Sequence, residues 1–407
     1  MHDLLSGIRV VDLTTIVLGP YATQVLGDMG ADVIKIEPLT GDLFRTVRPG
    51  RDQDMGAGFL NCNRNKRSVA LDLTRKEGRE ALHAILKTAD VLMHNMRPSS
   101  AARIGASYAE AKAVRPDIVY CYAPGFGQDG PYAAAPAYDD TIQAASGLAA
   151  LNADSEGAPR FLPNIIGDKV GGLHLALAAL MGVIGRMRTG RGCCIEAPMF
   201  ESVVSFLMLE QLSGHTFRPP IGGVGYERLQ SPNRRPHRTK DGYIAVLPYN
   251  TEHWTCFLEL IGRADMARLD LVRDPVVRSR NIDKLYKVVA EAMPARTTGE
   301  WLSVLNAADI PCSRVNSFAD LLEEEHLKAV EMFEDIDHPT EGATRVLRSP
   351  FNVIGRAREL DAPAPRLGED TRVVLEEAGF SEGEISLLIE SGAAQAAASK
   401  GAKHGAR

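Results

Sequence analysis

The spacing of apolar residues along the first two hundred positions alternates between two periods. "IRVVDL" (8–13) is a short β-rich run, and the turn "TTIVLGP" follows it. Ala22, Val25, Leu26 and Met29 then recur at helical spacing, with Pro20 suited to open the helix and Gly30 to close it. "ADVIKIE" is a second strand, so residues 7–37 predict a compact βαβ unit. Further strands are expected at 68–73 ("SVALDL"), 89–95 ("ADVLMHN") and 117–127 ("DIVYCYAPGFG"), with helical patterns between them. In 76–88, Leu82, Ile85, Leu86 and Ala89 share one helical face. Strands alternating with helices predict a parallel, doubly wound sheet.

The pattern changes at Lys169. From there to Met187 the chain reads "KVGGLHLALAALMGVIGRM", apolar almost all round, which predicts a buried helix. "GRGCCIEAPM" supplies a turn and a strand, and "FESVVSFLMLEQLSG" another helix that Gly214 can close. Pro, Gly and Arg accumulate in 215–242, which reads as a linker between a large domain (1–214) and a smaller α+β domain (243–330). In the latter, "YIAVLPYN" is a strand and 251–264 and 298–308 are helices. Residues 331–390 form a C-terminal segment with a helix at 369–378, and the Ala/Lys/Gly tail 391–407 is expected to be disordered.

Composition narrows the function classes. With 407 residues, 45% hydrophobic and 24% charged, the chain has room for two domains and ordinary cores. A net charge of −6 argues against a general nucleic-acid partner, so an anionic ligand must be met by local Arg, Lys or helix N-termini. No apolar run is expected to reach the roughly 18 residues of a membrane span. The opening "MHDLLSGIRVVDL" lacks the regions of a signal peptide. The six cysteines show no C-x-x-C spacing, so neither a metal site nor a disulfide framework is expected, and reduced thiols fit a cytoplasmic protein.

Glu37 ends the second strand, where an acidic residue can hold a ribose, but "TTIVLGP" lacks the G-x-G-x-x-G of a dinucleotide site. A basic series, Arg45, Arg64, Lys66, Arg67, Arg75, Arg97 and Arg103, follows several strand ends; each residue alone reads as a surface charge. Arg97 and Arg103 lie in "NMRPSSAAR", a strand-end turn leading into a helix, where guanidinium groups and backbone N–H groups suit phosphate. The Gly/Pro-rich loop 123–140 places Tyr138 and Asp139 nearest to chemistry. In "PNIIGDKVGGLH", Asp168 reads locally as an N-cap that complements the helix dipole. Glycines in a first turn cost roughly 1 kcal/mol each relative to alanine, so Gly171 and Gly172 point to something bulky approaching the backbone. His174 reads as a buried, hydrogen-bonded histidine.

Taken in order, "LSGIRVVDLTTIVLGPYATQVLGDMGADVIKIEP", "GDLFR", "NRNKRSVALDL", "ADVLMHNMRP", "GFGQDGPYAAAPAYDDTIQAASG" and "GDKVGGLHLALAALMGVIGRMRTGRG" resemble the class III coenzyme A transferases, the CaiB/BaiF family. The resemblance runs from Leu5 to about residue 390. It implies a Rossmann-like large domain plus a smaller domain in an interlocked homodimer, with the C-terminal segment returning to the large domain. Residue pattern alone would not suggest this, since threaded topologies are rare. It also implies acyl-CoA and a small carboxylic acid as partners, CoA as substrate rather than prosthetic group, and Asp168 as the nucleophile. Ile16, Val17, Leu71, Asn95, Met96, Arg97 and Arg103 fall on the family's CoA-binding surface. Ala137, Tyr138 and Asp139 fall near the pantetheine end and the acyl site. Pro38 stands where some members have a CoA-contacting arginine, leaving Arg45 or Arg75 to substitute. The glycine-rich lid of formyl-CoA transferase has no clear counterpart around 220–245. Family racemases place a histidine where this chain has Tyr138, a poor base at neutral pH, so transfer is favoured over racemisation; a non-catalytic CoA-ester binder is the further alternative.

Overall fold

The computed structural model describes residues 2–397 apart from 53, 357, 358 and 360. The chain forms two compact units: one runs from the N-terminus to Leu207 and resumes at Glu331, and the other is Met208–Val330.

In the first unit six parallel strands, β1 (Arg9–Asp12), β2 (Asp32–Glu37), β3 (Lys66–Leu71), β4 (Val91–His94), β5 (Val119–Tyr122) and β6 (Cys193–Glu196), lie in the order β3-β2-β1-β4-β5-β6. Val10, Val11, Ile34, Leu92 and Met93 are almost wholly buried, because helices cover both faces of the sheet. On one face the helix Lys76–Leu86 joins Thr371–Glu377 and Glu382–Glu390 over Ile34, Val69 and Leu92. On the other, Leu18–Asp28 and the long helix Ile166–Thr189 pack over Val10, Val33 and Val119. The order reverses direction between β1 and β4, and open α/β sheets bind ligands at the carboxyl ends of the strands flanking such a reversal.

Four sequence expectations need correction here. The segment 391–397 is ordered: Ala394–Gln395 pairs antiparallel with β3, and Ala393 and Ala394 are buried in the core. Small residues let this strand close the sheet edge, whereas an Ala-rich composition hides it; 398–407 lie outside the described residues. The first helix starts at Leu18, two residues before Pro20. The long helix is buried on one face only, with Leu173, Leu177, Met181 and Ile184 between 42% and 61% exposed. Its 24 residues include an 18-residue window of mean hydropathy 1.6, enough to cross a membrane by length and composition, contrary to the expectation that no such run exists. Half of that window is buried against this chain. Gly182 sits so close to β5 that a Cβ there would stand 2.4 Å from Val119 Cγ1.

The glycine pair that interrupts the first turns of this helix admits another helix. A Cβ on Gly172 would lie 2.5 Å from the Leu18 carbonyl oxygen, and one on Gly171 would lie 2.9 Å from Leu18 Cδ1. Gly172→Ala is therefore expected to cost about 1–3 kcal/mol by pushing the two helices apart. Gly185→Ala, in the same helix with nothing within 4 Å of its Cβ, is expected to gain up to about 1 kcal/mol. Thermal unfolding of the two variants side by side checks both signs.

In the second unit β7 (His237–Arg238), β8 (Tyr243–Val246) and β9 (Cys312–Arg314) form an antiparallel sheet. Helices Thr251–Leu260, Ile282–Ala292 and Thr298–Ala307 bury Trp254, Phe257, Leu285, Val289 and Trp301 beside it. Residues 215–242 are part of this unit, carrying the short helix Glu227–Gln230 as well as β7. After Glu331 the chain forms the hairpin β10 (Phe333–His338) and β11 (Gly342–Leu347). It is then tied to the first unit by Asn65 donating to Asp361 (2.9 Å) and by the Ser68 N–H donating to Asp370 (2.9 Å).

Candidate active site

At the reversal between β1 and β4 the sheet opens into a cavity of about 290 Å³. Its walls are Thr15–Leu18 after β1, Asn95–Arg97 after β4, the Ala135–Tyr138 loop, and Asp168 at the head of the long helix. Asp168 is the third residue of that helix and not its cap. The capping group comes from a different helix: Asp139 Oδ1 accepts the Asp168 N–H at 3.1 Å, while Asp139 Oδ2 accepts from Gln143 at 2.6 Å. Among the described residues nothing donates to the Asp168 carboxylate. Burial, with a smaller contribution from the charge of Asp139, pushes its pKa up to about 7. A poorly solvated carboxylate with no donor of its own, facing a cavity, is placed to react rather than to hold structure.

The turn after β1 is held in strain. Ile16 has φ 69°, a left-handed conformation that costs a β-branched residue energy and persists only where its surroundings impose it. Two latches do so. The Ile16 N–H donates to Asp42 (3.1 Å), whose carboxylate also accepts Lys35 Nζ (2.9 Å), and Lys35 in turn donates to the Thr14 carbonyl (2.9 Å). Asn95 donates to the Thr15 carbonyl and accepts the Thr15 N–H, both at 2.9 Å, which ties the β1 and β4 turns together. Next along the chain, the amides of Val17 and Leu18 open the first helix and meet no acceptor among the described residues. They leave N–H groups and a positive dipole end at the cavity wall. On the β4 side, buried His94 bonds the Tyr120 hydroxyl (2.6 Å) and accepts the Met96 N–H (3.2 Å). Burial drops its pKa to about 4, so the ring stays neutral and fixes the turn.

The profile of CoA-transferase family III matches residues 5–371. The chain belongs to this family. It is 29% identical to mouse succinyl-CoA:glutarate CoA-transferase, over 95% of this chain and 89% of that protein. It is 32% identical to formyl-CoA:oxalate CoA-transferase of Streptomyces coelicolor, over 95% of this chain and 98% of that one. The crystal structure of a CaiB/BaiF family protein from Brucella suis superposes with a TM-score of 0.77 at 28% identity, covering 93% of this chain and 100% of that one.

Of the residues singled out in this family III CoA-transferase, Ile16, Val17, Asn95, Met96, Arg97, Ala137, Tyr138 and Asp168 line the cavity together. Asp139 stands behind Asp168, and His174 is half-buried and bonded to the Val170 carbonyl (2.8 Å). Leu71, Arg75 and Arg103 lie outside the cavity walls. Leu71 is a core residue at the end of β3, Arg75 donates to the Ser391 carbonyl (2.7 Å), and Arg103 donates to Ser100 (3.0 Å). The basic series is largely structural. Arg45, offered above as a substitute ligand, is buried and bound by both arms to Glu37 (2.7 and 2.8 Å), Arg64 pairs with Asp28, and Lys66 with Asp12 (3.2 Å). Gly171 and Gly172 face Leu18 and supply no donors to the cavity. Sequence reasoning missed Lys35, Asp42 and His94. A lysine inside the apolar strand "DVIKIE" was the available signal, since a buried charge requires a partner.

Proposed function

We propose that Asp168 carries acyl group and CoA in turn, moving CoA from an acyl-CoA donor to a free carboxylic acid. The observation that carries this reading is the half-buried Asp168 carboxylate, without a donor of its own, beside the open N–H groups of Val17 and Leu18. The carboxylate attacks the donor thioester carbonyl; a C–O bond forms, the C–S bond breaks, and CoA leaves as thiolate. The thiolate then attacks the aspartyl carbonyl of the resulting anhydride and displaces the donor acid, leaving an aspartyl-CoA thioester. The acceptor carboxylate displaces the thiolate to form a second anhydride. Attack of the thiolate on its acyl carbonyl releases the new acyl-CoA and the free aspartate. Each step passes through an oxyanion, and the amides at Val17 and Leu18 are the donors we assign to it.

Arg97 lines the cavity and is assigned to the CoA phosphates. Leu71 ends β3 and Arg75 stands at the head of the helix after it; β3 is two strands from β1, about 10 Å along the same sheet edge and within reach of an extended coenzyme. Succinyl-CoA or another dicarboxylyl-CoA is the proposed donor, supported by the name of the mouse relative. The exposed stripe Leu173, Leu177, Met181 and Ile184 supports a homodimer, since a soluble monomer rarely leaves so continuous an apolar row uncovered. Incubation with succinyl-CoA followed by hydroxylamine should place a hydroxamate on Asp168, read by peptide mass spectrometry. A labelled protein with the mark elsewhere, or none during turnover, overturns the mechanism.

The raised pKa sets a pH dependence. Only the ionised carboxylate attacks, so the rate of adduct formation should rise with pH through about 7. Asp139→Asn removes a negative neighbour and should move that limb to lower pH. The shift should be partial, because burial is the larger cause. A pH–rate profile from about pH 5 to 9 checks it, and an unmoved limb contradicts it.

A further inference from the structure

Three arginines are buried among the described residues, and two of them are paired with carboxylates: Arg45 with Glu37 and Arg64 with Asp28. The third, Arg278 in the second unit, is 9% exposed and donates only to Thr251 Oγ1 (2.9 Å) and the Val272 carbonyl. Close by, half-buried Arg228 lies over the Tyr249 ring, 5.1 Å from its centroid, and donates its Nε–H to the Tyr286 hydroxyl at 2.7 Å. Neither guanidinium has a carboxylate within ion-pair distance among the described residues. Neighbouring acids are engaged elsewhere. Asp274 accepts the Val276 and Val277 amides (2.7 and 3.1 Å), and Asp283 accepts from Ser231 and Asn233 (2.6 and 2.9 Å). Withdrawing a cation from water without a counter-charge is costly, and the cost falls when an anion binds.

Both arginines face a cavity of about 200 Å³ walled by Tyr226, Tyr249 and Tyr286. It lies wholly within the second unit and shares no residue with the Asp168 cavity. Tyr286 is 3% exposed, and because its oxygen accepts from Arg228, its own hydroxyl proton remains to be donated. A guanidinium fork matches a carboxylate in geometry, and the ring faces suit a short carbon chain. Pockets that enclose drug-sized ligands begin at about 300 Å³, so this one admits a small acid and not a nucleotide or a coenzyme.

We propose that this cavity is a binding site for a small organic carboxylate, held between Arg228, Arg278 and the Tyr286 hydroxyl. The proposal goes beyond the transfer reaction, and its test reads binding without acyl-CoA, so its failure leaves the Asp168 reading standing. Isothermal titration of the full chain with glutarate is expected to show binding that Arg228→Gln weakens at least about tenfold. Tyr286→Phe should weaken it several-fold, and the uncharged diamide glutaramide should not bind. Arg278 is buried and its variants risk misfolding, so Arg228→Gln carries the test. Wild-type affinity in Arg228→Gln overturns the proposal, since glutarate would then bind elsewhere. Equal affinity for inorganic phosphate overturns the commitment to a carboxylate, and absence of any heat with glutarate at about 10 mM overturns the site.

Discussion

Asp168→Ala is expected to abolish CoA exchange, lowering the rate at least about ten-thousand-fold, since removing a covalent nucleophile costs on that scale or more. Exchange is read by mass spectrometry of the acyl-CoA pool after mixing a donor such as succinyl-CoA with a panel of acids. The loss should be in turnover and not in folding, because Asp168 holds nothing: its carboxylate has no donor among the described residues, and its backbone N–H bond to Asp139 survives the substitution. Stability should in fact rise. A carboxyl whose folded pKa is about 7, above the ordinary aspartate value of 3.8, favours the folded state fully only below pH 3.8, and loses that advantage as pH climbs through 7. Relative to wild type, Asp168→Asn should therefore gain on the order of 2 kcal/mol at pH 8, after allowing for partial exposure, and little at pH 4. Retained exchange in a folded Asp168→Ala protein excludes the aspartyl route.

Arg45→Met is expected to lower the stability of the first unit by about 3–5 kcal/mol, the cost of leaving one member of a buried ion pair alone. Both side chains are 1% exposed, and the guanidinium also covers the Phe59 ring at 3.8 Å and donates to the Pro365 carbonyl at 3.1 Å. Glu37 would keep only the Ser68 hydroxyl (2.7 Å) and the Asp42 N–H (3.0 Å). In a domain of this size the loss corresponds to a fall of roughly 10 °C in Tm. Adding Glu37→Gln should restore part of it, since the unpaired charge is then gone. A thermal scan of the single and double variants decides the point. If Arg45 instead served as a coenzyme ligand, the single variant would keep its Tm and lose only affinity for CoA.

How far the site was legible depends on what each residue does. Asp168 stands out in the sequence, but its local reading as a cap fails, since Asp139 supplies the cap; the bulky group that the glycines after it admit is Leu18 of another helix. Arg97 and Asn95 were legible as residues following a strand end. The division of labour between them was not, because Asn95 spends its amide on Thr15 while Arg97 reaches the cavity wall. The exposed row on the long helix was invisible for a related reason. An apolar sequence does not say which of its faces this chain covers and which it leaves open.

By itself the sequence determined the alternation of strands and helices, the doubly wound sheet it implies, and the family to which Asp168 belongs. Those follow from local periodicity and from motifs read in order, each of which needs only neighbours in the chain. Tertiary structure alone decided which cations have a carboxylate partner. Arg45, Arg64 and Lys66 look like Arg97 in the sequence, yet two strands and a helix bring carboxylates to them and the returning C-terminal segment adds a carbonyl to Arg45, whereas Arg97, on the cavity wall with Asp168, meets only the Ala134 carbonyl (2.9 Å) among the described residues. A charge in low dielectric is governed by what lies within a few ångströms, and those neighbours come from positions far apart in the chain.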